Sequence, residues 1–260
     1  MTIKSIFLLA PAETAVVGSG PVAFAISMAK AYGASLTAFS VALDVTTPGR
    51  NTDAAGVIAA LQNAADAAGV SCSLITEHSH ALGVNQVVAE HARLHDISIV
   101  GSQDIGLLNE RMLAECLMFE SGRPVIVVPQ THATPYTLGA LAVAWDNTPA
   151  AGRALGDAIA LLAPEHVHFL TIVGEKEFPT DLDSAALVTA TGKRGIKADY
   201  VKAALFGRSI ASALQEEAAA TGSEILVMGA YGHSRLRRFM MGSATADILQ
   251  SSTMPTLLSH

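Results

Sequence analysis

The most specific chemical pattern in the chain is Gly229-Ala230-Tyr231-Gly232, then nine residues, then Gly242-Ser243. The apolar run Ile225-Leu226-Val227-Met228 precedes it, and helical spacing follows it. Glycine has no Cβ, so its backbone N–H groups can approach a ligand closely and take positive φ. A Gly-Ser pair that opens a helix adds unpaired N–H groups, the positive end of the helix dipole, and a hydroxyl able to cap the helix or bond a phosphate oxygen. That is the chemistry of a phosphate cradle. It sits after a strand, where open α/β sheets bind ligands. The same spacing also suits a turn-rich connection that binds nothing. Arg235, Arg237 and Arg238 within it either attract phosphate or form a solvated loop.

Other constellations carry less. His91 and His95 share a helical face beside Glu90, but the zincin pattern needs Glu directly after the first His, where Ala92 stands. His78/His80 and His166/His168 each set two imidazoles on one side of a strand, which reads as surface or sheet packing. No metal ligand and no catalytic residue is assigned. Gly192-Lys193 is followed by Arg194, so a P-loop is absent, and Gly18-Ser19-Gly20 has Ala23 in place of the third glycine of a dinucleotide fingerprint. No Gly-x-Ser-x-Gly elbow follows an expected strand.

The elements that must position the motif alternate between short β-branched runs and longer stretches with helical spacing, which is the α/β pattern. Strands are expected near residues 4–10, 35–43, 71–79, 97–101 and 124–128, with helices near 21–32, 52–68, 83–95 and 107–120. The series then repeats, with strands near 139–145, 166–173, 196–204, 224–228 and 256–258 and helices near 149–162, 184–191, 209–220 and 243–251. Matched positions support the repeat. Residues 97–101 correspond to 225–229, each before a helix that ends at an apolar strand opened by proline (Pro124, Pro255), and residues 7–12 lie over 141–146 at a shift of 134. Runs such as Val125-Ile126-Val127-Val128 lack polar alternation, as expected of a parallel sheet covered on both faces. A boundary is expected near residues 129–137, with 130–135 as linker, giving domains 1–130 and 137–260.

With this organisation, Gly-x2-Gly-x9-Gly-Ser after a fourth strand resembles the nucleotide-binding motif of the universal stress protein family, and the match extends over the chain as two tandem copies. The resemblance implies five-stranded parallel domains in the strand order 3-2-1-4-5, of the adenine nucleotide alpha hydrolase-like kind. It further implies that the two domains pair through their fifth strands as a pseudo-dimer, with room for a further homodimer, and that the ligand is ATP, with or without Mg. Asp146 matches the family's adenosine-contacting aspartate and Ile172 its adenine-contacting residue. Met228, Gly229, Gly232, His233, Gly242, Ser243, Ala244 and Thr245 occupy its remaining binding positions. The first copy departs from this pattern. Asp104 replaces the second glycine, Ala12 replaces the aspartate, no Gly-Ser precedes the helix, and Gly101 to Pro124 is 23 residues against 26 for Gly229 to Pro255. Glu110 and Glu115 add negative charge there, and residues 1–130 carry 6 cations against 11 acids, whereas residues 131–260 carry 10 against 12. One nucleotide site, in the second copy, is expected.

Composition sets the outer limits. The 260 residues are 50% hydrophobic and carry a net charge of −7, so the chain has ample core and too few cations for a general nucleic-acid binder. No apolar run approaches the length of a membrane span, and the apolar stretch after Lys4 is cut short by Glu13, which suits a buried strand better than a signal peptide. Cys72 and Cys116 are isolated, as in a reduced cytoplasmic protein. The expectation is a tandem universal stress protein that binds one ATP in its C-terminal domain and acts as a stress-response regulator, with at most slow hydrolysis or autophosphorylation. The alternatives are a scaffold with two vestigial sites and an ATP-dependent enzyme of unknown substrate.

Overall fold

The apolar runs of the chain become the central strands of two units with five parallel strands each. The computed structural model describes residues 2–10, 18–43, 54–80, 82–103, 109–137, 139–174, 184–230 and 244–260. It divides into two compact units, Met1–Thr137 and Leu138–His260.

In the first unit the elements are β1 (Ser5–Leu9), α1 (Gly20–Tyr32), β2 (Ser35–Leu43), α2 (Ala54–Ala68), β3 (Cys72–Ser79), α3 (Val84–Ala92), β4 (Ile97–Val100), α4 (Glu110–Glu120) and β5 (Val125–Val127). All strand pairs are parallel and run in the order β3-β2-β1-β4-β5. Every residue of β4 and β5 is buried, which accounts for their unbroken apolar sequence. Phe7, Phe24, Phe39, Ile97 and Leu113 are among the largest fully buried side chains of the core.

The second unit runs β6 (Ala140–Ala144), α5 (Pro149–Leu162), β7 (His166–Val173), α6 (Ser184–Gly192), β8 (Lys197–Ala204), α7 (Ile210–Ala220), β9 (Ile225–Gly229), α8 (Ala244–Ser251) and β10 (Thr256–Ser259). Its order is β8-β7-β6-β9-β10, again parallel throughout. The order 3-2-1-4-5 thus recurs in each unit. Among the described residues no helix is long and apolar enough to cross a membrane, and both cysteines are free thiols.

Two expectations need correction. The helix expected over 83–95 ends at Ala92, because Leu94 and His95 donate to carbonyls three residues back, His91 and Ala92, rather than four. His95 Nδ1 then lies 2.6 Å from Ser5 Oγ, and Asp96 Oδ2 accepts the N–H groups of Lys4 at 2.8 Å and Ser5 at 3.0 Å, so the chain is drawn off the helix axis to meet β1. The stretch 130–135, expected as a linker, is fastened to the first unit. Gly20 N–H donates to the Gln130 carbonyl at 3.0 Å, Phe24 packs edge-on against His132 and Tyr136, and Tyr136 N–H donates to Ser27 Oγ at 2.9 Å.

Candidate functional site

In the second unit the chain winds outward from β6 through β7 to β8, then returns to place β9 on the other side of β6. The carboxyl ends of β6 and β9 therefore flank the point where the winding reverses, where an open α/β sheet forms a crevice. Extending the register of Ala144 with Leu170 by two residues sets Asp146 level with Ile172, and extending Val143 with Val227 by two sets Trp145 level with Gly229. Asp146, Ile172, Met228 and Gly229 thus gather at one end of the sheet.

Local chemistry fixes Asp146. Trp145 N–H donates to the Leu170 carbonyl at 2.8 Å, and Thr171 Oγ1 donates to the Trp145 carbonyl at 2.7 Å while accepting from Tyr200 Oη at 2.9 Å. Asp146 Oδ1 accepts from Thr148 N–H at 3.1 Å and Thr148 Oγ1 at 2.6 Å, and Asn147 between them takes a left-handed φ of 60°. Asn and Asp tolerate such turns because their short side chains bond the backbone two residues on. Thr148 then caps α5, its Oγ1 accepting from Ala151 N–H at 3.2 Å, and Pro149 takes the first helical position. The carboxylate is exposed at the head of that turn.

Gly229 has a different reason to be glycine from the one its motif suggests. A Cβ there would lie 2.4 Å from the Ala150 carbonyl carbon, 2.6 Å from its oxygen and 2.6 Å from the Ala151 nitrogen. The end of β9 is pressed against the first turn of α5, so this glycine serves close packing of strand on helix. Met228 is buried in β9, and Ala230 N–H donates to the Ser259 carbonyl at 2.7 Å. Ile172 is half-buried near the end of β7. Ala244 and Thr245 form the first turn of α8, with Thr245 buried. Gly232, His233, Gly242 and Ser243 lie outside the described residues, as do Arg235, Arg237 and Arg238.

The corresponding place in the first unit is built around Glu110, which is 2% exposed at the start of α4. Glu110 Oε2 accepts from Gln103 N–H at 2.7 Å and Gln130 Nε2 at 3.4 Å, and its own N–H donates to the Gln103 carbonyl at 3.1 Å. A Cβ on Gly101 would lie 2.2 Å from that same oxygen. The helices α4 and α8 both end four residues before the matching prolines, Pro124 and Pro255, so the three-residue difference falls before those helix ends. Sequence reasoning treated Glu110 as a charge unfavourable to a ligand and missed its internal partners, for which a first-turn acid after an Asn cap was the available signal. Asp104 lies outside the described residues.

His91 and His95 of the first unit pack against aromatic rings. The His91 ring lies 4.5 Å from that of Phe39, with its Nε2 3.7 Å from Glu77, and the His95 ring sits 5.5 Å from Phe7. Burial lowers the His95 pKa, opposed by Asp96 and aided by His91.

These units are parallel α/β domains, each with a topological switch point beside its first strand. The universal stress protein family model matches residues 139–260, nearly the whole second unit. The second unit is therefore a universal stress protein domain. A solved universal stress protein from Archaeoglobus fulgidus DSM 4304 is similar at 15% identity and TM-score 0.69, the match covering 97% of this chain and 95% of that one. A functionally unknown protein from Pseudomonas aeruginosa PAO1 is similar at 14% identity and TM-score 0.63, covering 99% and 92%. At these identities the likeness is one of fold, and it extends over both units. No curated protein matches the chain.

Proposed function

We propose that the second unit binds one adenine nucleotide, ATP with or without Mg, in the crevice between β6 and β9, and that the chain acts through this binding as a regulator in a stress response. The observation that carries the reading is the gathering of Asp146, Ile172 and Gly229 at the carboxyl ends of adjacent strands on either side of the switch point. Asp146 would meet the ribose side of the nucleotide and Ile172 its base. Gly232, His233, Gly242, Ser243 and the first-turn N–H groups of Ala244 and Thr245 would hold the phosphates. Phosphoryl transfer needs a positioned nucleophile, a metal site and charge stabilisation. With Asp146, His233 and Ser243 as the only polar side chains of the assigned set besides Thr245, binding with slow hydrolysis at most is the better match. Pairing of the two units through their fifth strands belongs to the same reading.

The test is calorimetric titration of the nucleotide-stripped full chain with Mg-ATP, ADP and AMP, after identifying any nucleotide that co-purifies. Saturation at one ATP per chain, abolished in Gly232→Asp, is the expected result. No heat, no co-purified nucleotide and an unchanged Tm would overturn the proposal and favour a scaffold. Turnover well above a slow ATPase would instead favour an enzyme.

A further inference from the structure

A second cluster lies in the same unit, away from the crevice. His166 and His168 stand two residues apart in β7, so they leave the same face of the sheet, and the register with β8 sets Asp199 directly across from His168. His166 Nε2 lies 2.8 Å from Asp199 Oδ2, and His168 Nδ1 lies 2.9 Å from both Asp199 oxygens. The two imidazole centroids are 4.0 Å apart with the rings tilted by 34°. One ligand atom from each residue falls within 4.8 Å of the other two. Side-chain exposures of 35% for His166, 12% for His168 and 45% for Asp199 show a cluster walled on one side and open to solvent on the other. In the strand order of this unit β8 is terminal, so no further strand of the unit covers Asp199. His166 begins β7 whereas Ile172 is six residues on, about 20 Å at the rise of a strand. The cluster is therefore separate from the nucleotide crevice.

We propose that His166, His168 and Asp199 form a site for a divalent first-row transition-metal ion of the zinc type. Two imidazoles and one carboxylate are the donors such ions take, whereas Ca²⁺ and Mg²⁺ prefer oxygen throughout. Tetrahedral zinc with bonds of about 2.0–2.1 Å needs neighbouring ligand atoms roughly 3.3 Å apart. The nitrogen–oxygen separations need only open by about half an ångström to admit the ion, within reach of side-chain rotation in a partly exposed site. In the metal-free state each imidazole donates a ring N–H to the shared carboxylate. On binding, the metal takes those nitrogens, and each ring carries its proton on the other nitrogen instead. The carboxylate offsets one of the ion's two charges, and the open side leaves the fourth position to water or a further ligand, as in zinc sites with three protein ligands.

The full chain, stripped with a chelator and dialysed, is titrated with Zn²⁺ in competition with a chromophoric chelator, and separately with Co²⁺ while the visible spectrum is recorded. One Zn²⁺ should bind per chain, roughly 100-fold or more weaker in His168→Ala and at least about 10-fold weaker in Asp199→Asn, since even outer-sphere partners cost 10–100-fold. Co²⁺ should give the intense visible bands of four-coordination, and Zn²⁺ should raise the Tm of the parent chain more than that of Asp199→Asn. Melting without metal verifies that each variant folds, and the Co²⁺ spectrum of the parent decides the matter even if His168→Ala does not. Zinc affinity unchanged in both variants, loss only on replacing His78 and His80, or a pale spectrum like that of aqueous Co²⁺ would each overturn the proposal. Gly232→Asp should leave zinc binding intact, which keeps this result independent of the nucleotide reading.

Discussion

Gly101 and Gly229 occupy matching positions at the ends of the fourth strands of their units, and both places reject a Cβ, yet for different reasons. At Gly229 the obstacle is the backbone of Ala150 and Ala151, the first turn of α5. At Gly101 it is a side chain, the buried carboxylate of Glu110, with Gln130 Nε2 next at 2.7 Å. Equivalent glycines in a repeat therefore need not report equivalent function. The first unit turns the N–H of Gln103 onto an anion of its own, whereas in the second the loop that would hold an outside anion carries glycines and arginines instead. On the proposed reading, the Glu110 carboxylate in the first unit takes the place that a bound phosphate would take in the second.

The largest expected effect comes from the backbone clash. Gly229→Val should cost more than about 3 kcal/mol, because no rotamer change relieves an approach of 2.4 Å to a backbone carbon and overpacking alone costs about 1–3 kcal/mol. The single tryptophan, Trp145, packs edge-on against Phe169 in the second unit, so its fluorescence during urea unfolding reports that unit alone. A variant with an unchanged midpoint would show that α5 yields readily and that the glycine serves something else. Gly101→Ala should cost about 1–3 kcal/mol and be partly relieved in a Glu110→Ala background, with a coupling above about 0.5 kcal/mol, although Glu110→Ala by itself leaves the half-buried Gln103 N–H without that acceptor. Strict additivity in the double-mutant cycle would break the contrast between the two glycines. No truncation of a side chain in α5 should rescue Gly229→Ala.

The contrast was partly legible beforehand. The strands and their parallel pairing follow from unbroken apolar runs, the strand order was implied by the family resemblance, and β2, β7 and α5 keep the expected bounds because β-branched runs and the Thr148-Pro149 cap mark them locally. Matching residues 7–12 with 141–146 was enough to set Asp146 at a strand's carboxyl end. What was not legible depends on contacts between segments far apart in sequence. Packing of Tyr136 against Phe24, and its hydroxyl bonded to that of Tyr32, turns an apparent linker into a covering of α1. Asp199 joins His166 and His168 only through the register of β7 with β8, which no spacing within either strand reveals. Gly229 carries a motif position and a packing demand at once, and sequence displays only the motif.

A smaller effect separates the two roles of the turn before α5. Thr148→Ala removes the cap on Ala151 N–H and should cost about 1 kcal/mol, as should Asp146→Ala through loss of the acceptor for both Thr148 donors. If Asp146 touches nucleotide, its variant should also lose affinity in calorimetry while Thr148→Ala retains most of it. Equal losses would make Asp146 a positioning residue, acting through the turn.

The smallest effect is one of pH, and it too divides the units. Burial lowers the pKa of His95 and of His132, both in the first unit, with Asp96 and the Thr134 backbone respectively opposing the shift. A histidine whose folded pKa lies below its unfolded value of about 6.5 binds fewer protons folded than unfolded in the interval between them. Its stabilising contribution is complete above the unfolded value and falls away as pH drops through that interval. In the second unit Glu216 is lowered by Arg208, first through their hydrogen bond, and the pair stands in solvent, so it contributes little and only down to the carboxylate range. Between pH 7.5 and 5.5 the amide exchange protection of β1 and α1 should therefore decline, and His95→Gln should remove part of the decline. Protection in β1 that holds steady over this range would show that the two histidines take up protons in the folded chain as freely as in the unfolded one, and the acid response would then cease to distinguish the first unit from the second.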